Sequence, residues 1–334
     1  MRERAAMSIA LPEIVTIRPC PVPLMRPGDA AFRLDVAERR GELHRVALGV
    51  YAPKALWDLL PPWDRYLARV HAHALLRPGA VFALESAAVL TGLPIVGEPT
   101  EIHVLSADGT SRLVGQVRTH VSTDQREIVR MDGIAFVAPA DTAVDIARHR
   151  HPALGLMTAD ALLRLTPALD AGHLLELNEL RTSARGRAAA RWPLTRATPL
   201  AESSLESISR AGIEWLGYPA PELQVVFRTS AGDVFRVDMY WRAQRRIGEA
   251  DGDLKYDGES GRARLREEKR REDILRRGCD GVARWGWGEA RDPDALDAAL
   301  RASGLRPERP RVAAPLLTLP AAIDPPRGRT ATPR

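Results

Sequence analysis

The chain is predicted to be an α/β protein of several domains: a degenerate winged helix, a mixed α/β block, and a compact αβββαβ unit at the back. Three observations predict this. At 334 residues the chain exceeds one ordinary domain. Short runs of alternating apolar residues interleave with stretches of helical spacing. Composition shifts mark the joints: a Pro-rich start, an Arg-rich stretch at 181–196, and a Pro- and Arg-rich end.

Hydrophobic residues make up 45% and charged residues 27%, which supports a packed core and excludes disorder throughout. Lys and Arg number 48 against 43 Asp and Glu, a mildly basic balance of +5 that suits contact with nucleic acid. Cys20 and Cys279 sit near opposite ends, which gives neither a disulfide framework nor a CxxC metal knuckle. Both are read as reduced thiols. The apolar stretch at the start is broken by Pro12 and Glu13, too soon for a signal segment. No run approaches 18 apolar residues, so the expectation is a cytoplasmic protein that does not enter a membrane. Glycine-rich phosphate loops are absent, and Ser203, Ser204, Ser207 and Ser209 lack the G-x-S-x-G setting of a hydrolase nucleophile. His149 and His151 have no Cys or acid cluster beside them and read as surface histidines.

Pro12, Pro19, Pro21, Pro23 and Pro27 forbid a long helix at the start. A short helix is predicted over 30–40, then a hairpin in GELHRVALGVY around Gly49. Helix followed by basic hairpin is the closing half of a winged helix, and residues 1–53 form this first part. The block 54–182 follows. Helical spacing covers 63–76 and 83–90, the latter stopped by Gly92 and Pro94. Strands are predicted at 101–105, 116–121 and 133–137. Helices are predicted at 139–148, 159–165 and 172–180. Residues 181–196 hold Arg181, Arg185, Arg187, Arg191 and Arg196 without one acid. This stretch is either a helix laid on phosphates or a solvated linker, assigned here to 183–198.

The unit at 199–292 reads as helix 202–215, strands 223–229, 234–241 and 246–250, a charged helix 262–277 and a final strand 281–285. Residues 303–334 are rich in Pro and Arg and are expected to be disordered.

The chemistry concentrates in RVDMYWRAQRRIGEADGDLKY, 236–256. A hairpin between its strands places Asp238 near Glu249. Glu249 and Asp251 share a face because strand side chains repeat every two residues. Carboxylates brought together repel unless a cation sits between them. Hard oxygen donors select Mg²⁺ or Mn²⁺, which suits phosphodiester hydrolysis. Asp238, Glu249 and Asp251 are therefore the candidate metal ligands. Glu206, in the helix before the first strand, is a further acid within reach, and Lys255 stands where an ammonium can orient water.

ESSLESISRAGIEWLGYPAPELQ, FRVDMYW, IGEADGDLKYDG, EEKRREDILRRG and VARWGW, in that order, resemble the Vsr-like branch of the PD-(D/E)XK nuclease superfamily over about 199–290. The resemblance implies a restriction-endonuclease-like fold and a Mg²⁺-dependent DNA endonuclease. It implies catalytic roles for Glu206, Asp238, Glu249, Asp251, Lys255 and Lys269. Gln224, Asp273 and Arg284 occupy further positions of the family pattern. In the lysine slot after Glu249 stands Asp251, so E-x-K reads E-x-D here, and Lys255 or Lys269 is the expected stand-in.

RRGELHRVALGVYAP is similar to the recognition-helix and wing segment of AbiEi-type antitoxins. FALESAAVLTGLP, EIHVL, VRTHV and DGIAFVAPADTAVDIAR are similar to the core that follows it there, so this resemblance spans about 30–165. It implies a DNA-binding regulator with a cognate toxin as partner, its nuclease-like domain inactive. Candidate DNA contacts are Arg39, Arg40, Arg45, Arg185, Arg187, Arg191, Arg271 and Arg276.

Overall fold

A computed structural model of the chain describes residues 16–29, 32–228, 234–251 and 279–324. Helix α1 (Leu34–Arg39) leads into the antiparallel hairpin β1 (Leu43–Ala47) and β2 (Val50–Pro53). The turn between them carries Gly49 at φ +74°, a left-handed conformation that costs glycine little. After α2 (Lys54–Trp57), α3 (Pro62–Leu76) begins with proline in its first turn. It buries Tyr66, Leu67 and Val70, while Leu75, which shares their apolar spacing, is exposed.

Strand β3 (Val81–Phe82) precedes α4 (Leu84–Leu90). Strands β4 (Ile102–Leu105), β5 (Arg112–Val114), β6 (Val117–His120), β7 (Ile128–Met131) and β8 (Ile134–Val137) follow. They form a mixed six-stranded sheet in the order β5-β6-β4-β3-β8-β7, packed on α3 and α4 through Phe82, Phe136, Leu67 and Leu90. Strands β3, β5 and β7 were not expected from the sequence.

Helices α5 (Pro139–His149), α6 (Pro152–Leu165), α7 (Ala171–Leu180) and α8 (Arg187–Arg196) form the next layer. Helix α6 starts earlier than its apolar spacing suggests, at Pro152. The solvated linker assigned to 183–198 is corrected here. Ala190 and Leu194 of α8 are buried with Val144, Leu162 and Leu174, so this stretch belongs to the core of the block.

The back unit opens with α9 (Ser204–Trp215). Strands β9 (Glu222–Arg228), β10 (Val234–Trp241), β11 (Arg246–Ala250) and β12 (Gly281–Trp285) form a sheet in the order β12-β11-β10-β9. Strands β9, β10 and β11 are antiparallel neighbours, and β11 runs parallel to β12. The connection between β11 and β12, with the helix expected at 262–277, lies outside the described residues apart from its ends.

Three helices follow among the described residues: α10 (Trp287–Arg291), α11 (Pro293–Ala302) and α12 (Ala313–Ile323). The expectation of a disordered tail from 303 is overturned as far as 324. Leu316, Leu319 and Ile323 of α12 are buried, and Leu319 is fully enclosed. They join a core with Leu156 and Met157 of α6, Ile208 and Ile213 of α9, and Trp241 and Trp285 of the sheet. Front and back blocks thus share one hydrophobic core. Among the described residues no helix is long and apolar enough to cross a membrane, and Cys20 and Cys279 are both unpaired thiols.

Candidate active site

Helix α9 is capped by Ser203, whose Oγ accepts from the Glu206 N–H at 3.1 Å. The same hydroxyl donates to Glu206 Oε1 at 2.8 Å, and the Glu202 N–H donates to Oε2 at 3.0 Å. Capping therefore fixes a buried carboxylate at the third helical position. Gln224 of β9 donates its Nε2–H to Glu206 Oε2 at 3.0 Å from across the layer.

Asp238 and Glu249 come together through sheet register. The antiparallel pairs run Trp241–Arg246, Tyr240–Ile247 and Met239–Gly248, and the next positions in that register are Asp238 and Glu249. Asp238 Oδ2 accepts from the Ala250 N–H at 2.9 Å. On the other side, β11 runs alongside β12, where Arg284 neighbours Glu249. The Asp251 N–H then donates to the Trp285 carbonyl at 3.0 Å. The end of β11 is thereby held from both sides. Gly248 lies against two indoles: a Cβ there would meet the Trp285 ring at 2.6 Å and the Trp241 ring at 2.9 Å.

Glu206, Asp238, Glu249 and Asp251 line one cleft of about 1000 Å³. Residues 92–97 of the front block also line it, as do Arg18, Arg236 and Arg291. The sequence reading missed these three arginines. Only Arg236 carried a signal, two residues before Asp238 on the same strand. Each is paired with an acid: Arg18 with Asp64 at 2.9 Å, Arg236 with Glu202 at 2.7 Å and Arg291 with Asp324 at 3.6 Å. Such part-exposed pairs are individually weak and exchangeable.

The donors are hard carboxylate oxygens, the set that suits Mg²⁺ or Mn²⁺. Glu206 accepts three hydrogen bonds, and Asp238, Glu249 and Asp251 supply carboxylate oxygens of the kind that suits the ion. Among the described residues no group of three or more His, Cys, Asp or Glu stands close enough to form a ready-made metal site. Lys255, Lys269, Arg271, Asp273 and Arg276 lie outside the described residues.

The candidate DNA-binding arginines divide. Arg39, Arg40 and Arg45 are exposed around the front hairpin, and Arg45 makes a surface pair with Glu38 at 3.3 Å. Arg185 is exposed beside Ser183. Arg187 instead turns inward, donating to the carbonyls of Arg181 and Ser183. Arg191 forms a two-pronged pair with Glu179, at 2.9 and 2.7 Å. Arg181 is buried against Asp141. Arg181 and Arg187 are therefore engaged within the fold, while Arg185 and Arg191 stay at the surface. His151 is not a free surface histidine either: its Nε2 lies 3.0 Å from the Pro315 carbonyl and its ring stands edge-on to Trp215.

No protein-family model matches the chain, and no solved structure matches it. Two relatives are similar to it: the uncharacterized protein MT2308 of Mycobacterium tuberculosis strain CDC 1551 / Oshkosh and the uncharacterized protein Rv2248 of strain ATCC 25618 / H37Rv. Each is 34% identical over 218 residues, which is 65% of this chain and 76% of the relative. At that identity and coverage, the chain belongs to the family of these mycobacterial proteins.

Proposed function

We propose that the back unit is a Mg²⁺- or Mn²⁺-dependent DNA endonuclease carried on a DNA-binding chain. The observation that carries this is the convergence of Glu206, Asp238, Glu249 and Asp251, from α9, β10 and the end of β11, on one arginine-edged cleft. Asp238, Glu249 and Asp251 would hold the ion. When bound, it supplies neutralising charge at the phosphate and makes water a better nucleophile. The chain's own residues do the rest. Arg18, Arg236 and Arg291 exchange their carboxylate partners for backbone phosphates and seat the strand over the acids. Glu206, fixed by Ser203 and Gln224, keeps a negative acceptor beside that seat to orient the attacking water.

The test is nicking of supercoiled plasmid by wild type and Asp238→Asn, with Mg²⁺, with Mn²⁺ and with EDTA. Asn keeps the shape but removes a charge that holds the ion, so nicking is lost while DNA affinity stays or rises. Equal nicking by both proteins overturns the site.

A second reading draws on the front of the chain. The exposed Arg39, Arg40 and Arg45 on a helix–hairpin unit favour a DNA-binding regulator, with a cognate toxin as the partner that reading brings. DNA binding without nicking under any metal selects this reading.

A further inference from the structure

Gln224 lies in the middle of β9 at φ +53°, a left-handed conformation that a non-glycine residue rarely adopts in a strand. The register runs from Leu223–Met239 to Val225–Val237 and skips the position of Gln224 between them. The usual alternation also breaks here. Leu223 packs in the layer shared with α9, and Val225, two residues on, packs in the other layer. The twist sends the Gln224 amide to Glu206, where Nε2–H donates at 3.0 Å.

The chemistry fixes which way the amide points. A carboxylate offers acceptors, so the NH₂ must face Glu206 and the carbonyl oxygen must face away. That oxygen, Oε1, is buried and has no hydrogen-bond partner among the described residues. Gln224 thus bears two local costs at once, a strained backbone and an unsatisfied acceptor. Glycine would take this backbone conformation freely and leave no buried acceptor. What glycine lacks is the donor to Glu206.

We infer that Gln224 is a positioning residue: it sets the Glu206 carboxylate for phosphodiester cleavage, and the strain in β9 persists because it aims that donor. This rests on the nuclease reading above. It adds that the residue acts through Glu206, since Gln224 itself is not part of the cleft wall.

The experiment compares wild type, Asp238→Asn, Gln224→Gly and Gln224→Glu in plasmid nicking, DNA binding and thermal unfolding. Gln224→Gly is expected to unfold near the wild-type temperature, because relieved strain offsets the donor lost to Glu206. Its kcat for nicking falls about tenfold or more, with DNA affinity unchanged, because Glu206 loses its alignment. Gln224→Glu places a second carboxylate against Glu206, so one of the two holds a proton until the pH is higher. The acidic limb of its nicking profile therefore moves to higher pH, a shift that a purely structural role would not produce. Wild-type kcat in folded Gln224→Gly, or an unshifted limb in Gln224→Glu, overturns the assignment while Asp238→Asn still reports on the nuclease. A wild type that nicks no DNA overturns the nuclease reading and this assignment with it.

Discussion

Asp238 Oδ2 accepts a 2.9 Å hydrogen bond from the backbone N–H of Ala250, the residue after Glu249. One carboxylate thus fastens the strand end that presents the next. Asp238 therefore has a structural duty separate from any chemistry, and substitutions at this position must be read on both scales.

Asp238→Asn keeps an oxygen acceptor for the Ala250 N–H and should unfold close to wild type in urea. Asp238→Ala leaves that N–H without its partner and should be less stable by about 1–3 kcal/mol. Equal stability of the Ala and Asn variants would show that the bond does not hold the strand end.

Gly248→Ala should destabilise the back unit by about 1–3 kcal/mol through overpacking. Neither indole is free to yield. Trp285 Nε1–H donates to Ser209 Oγ at 2.7 Å and Trp241 Nε1–H to the Pro219 carbonyl at 2.7 Å. A lower urea midpoint with an unchanged m-value is the expected result. Because Glu249 is the next residue, nicking should fall as well.

Elements whose own residues set their period were legible in the sequence. Helix α9 and strands β10 and β11 stand within two residues of where apolar spacing put them, and Asp238 and Glu249 fall opposite each other by simple counting along the hairpin. What escaped depended on distant partners. Strand β3 is two residues long and pairs with β4 and β8; two residues carry no period. The arginines of 181–196 read as phosphate contacts or a solvated linker because the acids that pair with Arg181, Arg191 and Arg196, namely Asp141, Glu179 and Glu214, lie outside the stretch. The tail read as disordered because of its prolines, although Leu316, Leu319 and Ile323 trace one face of α12. Strand patterning carried no signal of the left-handed backbone at Gln224.

Acid should destabilise the front block. His44, His71, His73, His103, His120 and His151 are all held below the ordinary imidazole range by burial, His103 to about 4. In the unfolded chain these groups take protons near pH 6.5, while the folded state resists. From these rings the unfolded state binds more protons, so stability falls as pH drops from about 6.5 toward 4, partly opposed by Asp160, whose carboxyl burial raises to about 6. Denaturant midpoints between pH 7.5 and 5 should decline steadily. A flat profile would show that the six rings titrate alike in both states.

Salt dependence should separate the arginines that touch DNA from those that hold the fold. Each phosphate contact contributes about −0.9 to the slope of log K against log salt. Arg40→Gln and Arg45→Gln should each flatten that slope by about this amount without loss of stability, since both side chains are exposed. Arg187→Gln should leave the slope alone and lower stability, because it removes donors to the carbonyls of Arg181 and Ser183. The reverse pattern would place α8 on the DNA instead of the front hairpin.

The C-terminal segment should be indispensable to the back unit. The Gly217 carbonyl accepts from the N–H groups of Glu308 and Arg309 at 2.9 and 3.0 Å, and the Trp215 carbonyl from Val312 at 2.7 Å. Arg311 adds ion pairs to Asp294 at 2.8 Å and to Asp297 at 2.7 Å. These contacts deliver α12 to the shared core, where three aliphatic side chains at about 1.5–3 kcal/mol each contribute roughly 5–9 kcal/mol as an upper figure. That rivals the whole stability of an ordinary domain, about 5–15 kcal/mol. A chain ending at Ser303 should therefore fail to give a cooperative unfolding transition. Leu319→Ala provides the finer measurement: it removes a fully buried side chain and should cost about 2–5 kcal/mol. Leu317→Ala is its control, two residues away and 80% exposed, and should change stability by no more than about 0.5 kcal/mol. Equal effects at the two positions would mean that α12 does not dock by this face. Because Ile323 lines the cleft beside the acids, loss of this docking should also lower nicking in any variant that still folds.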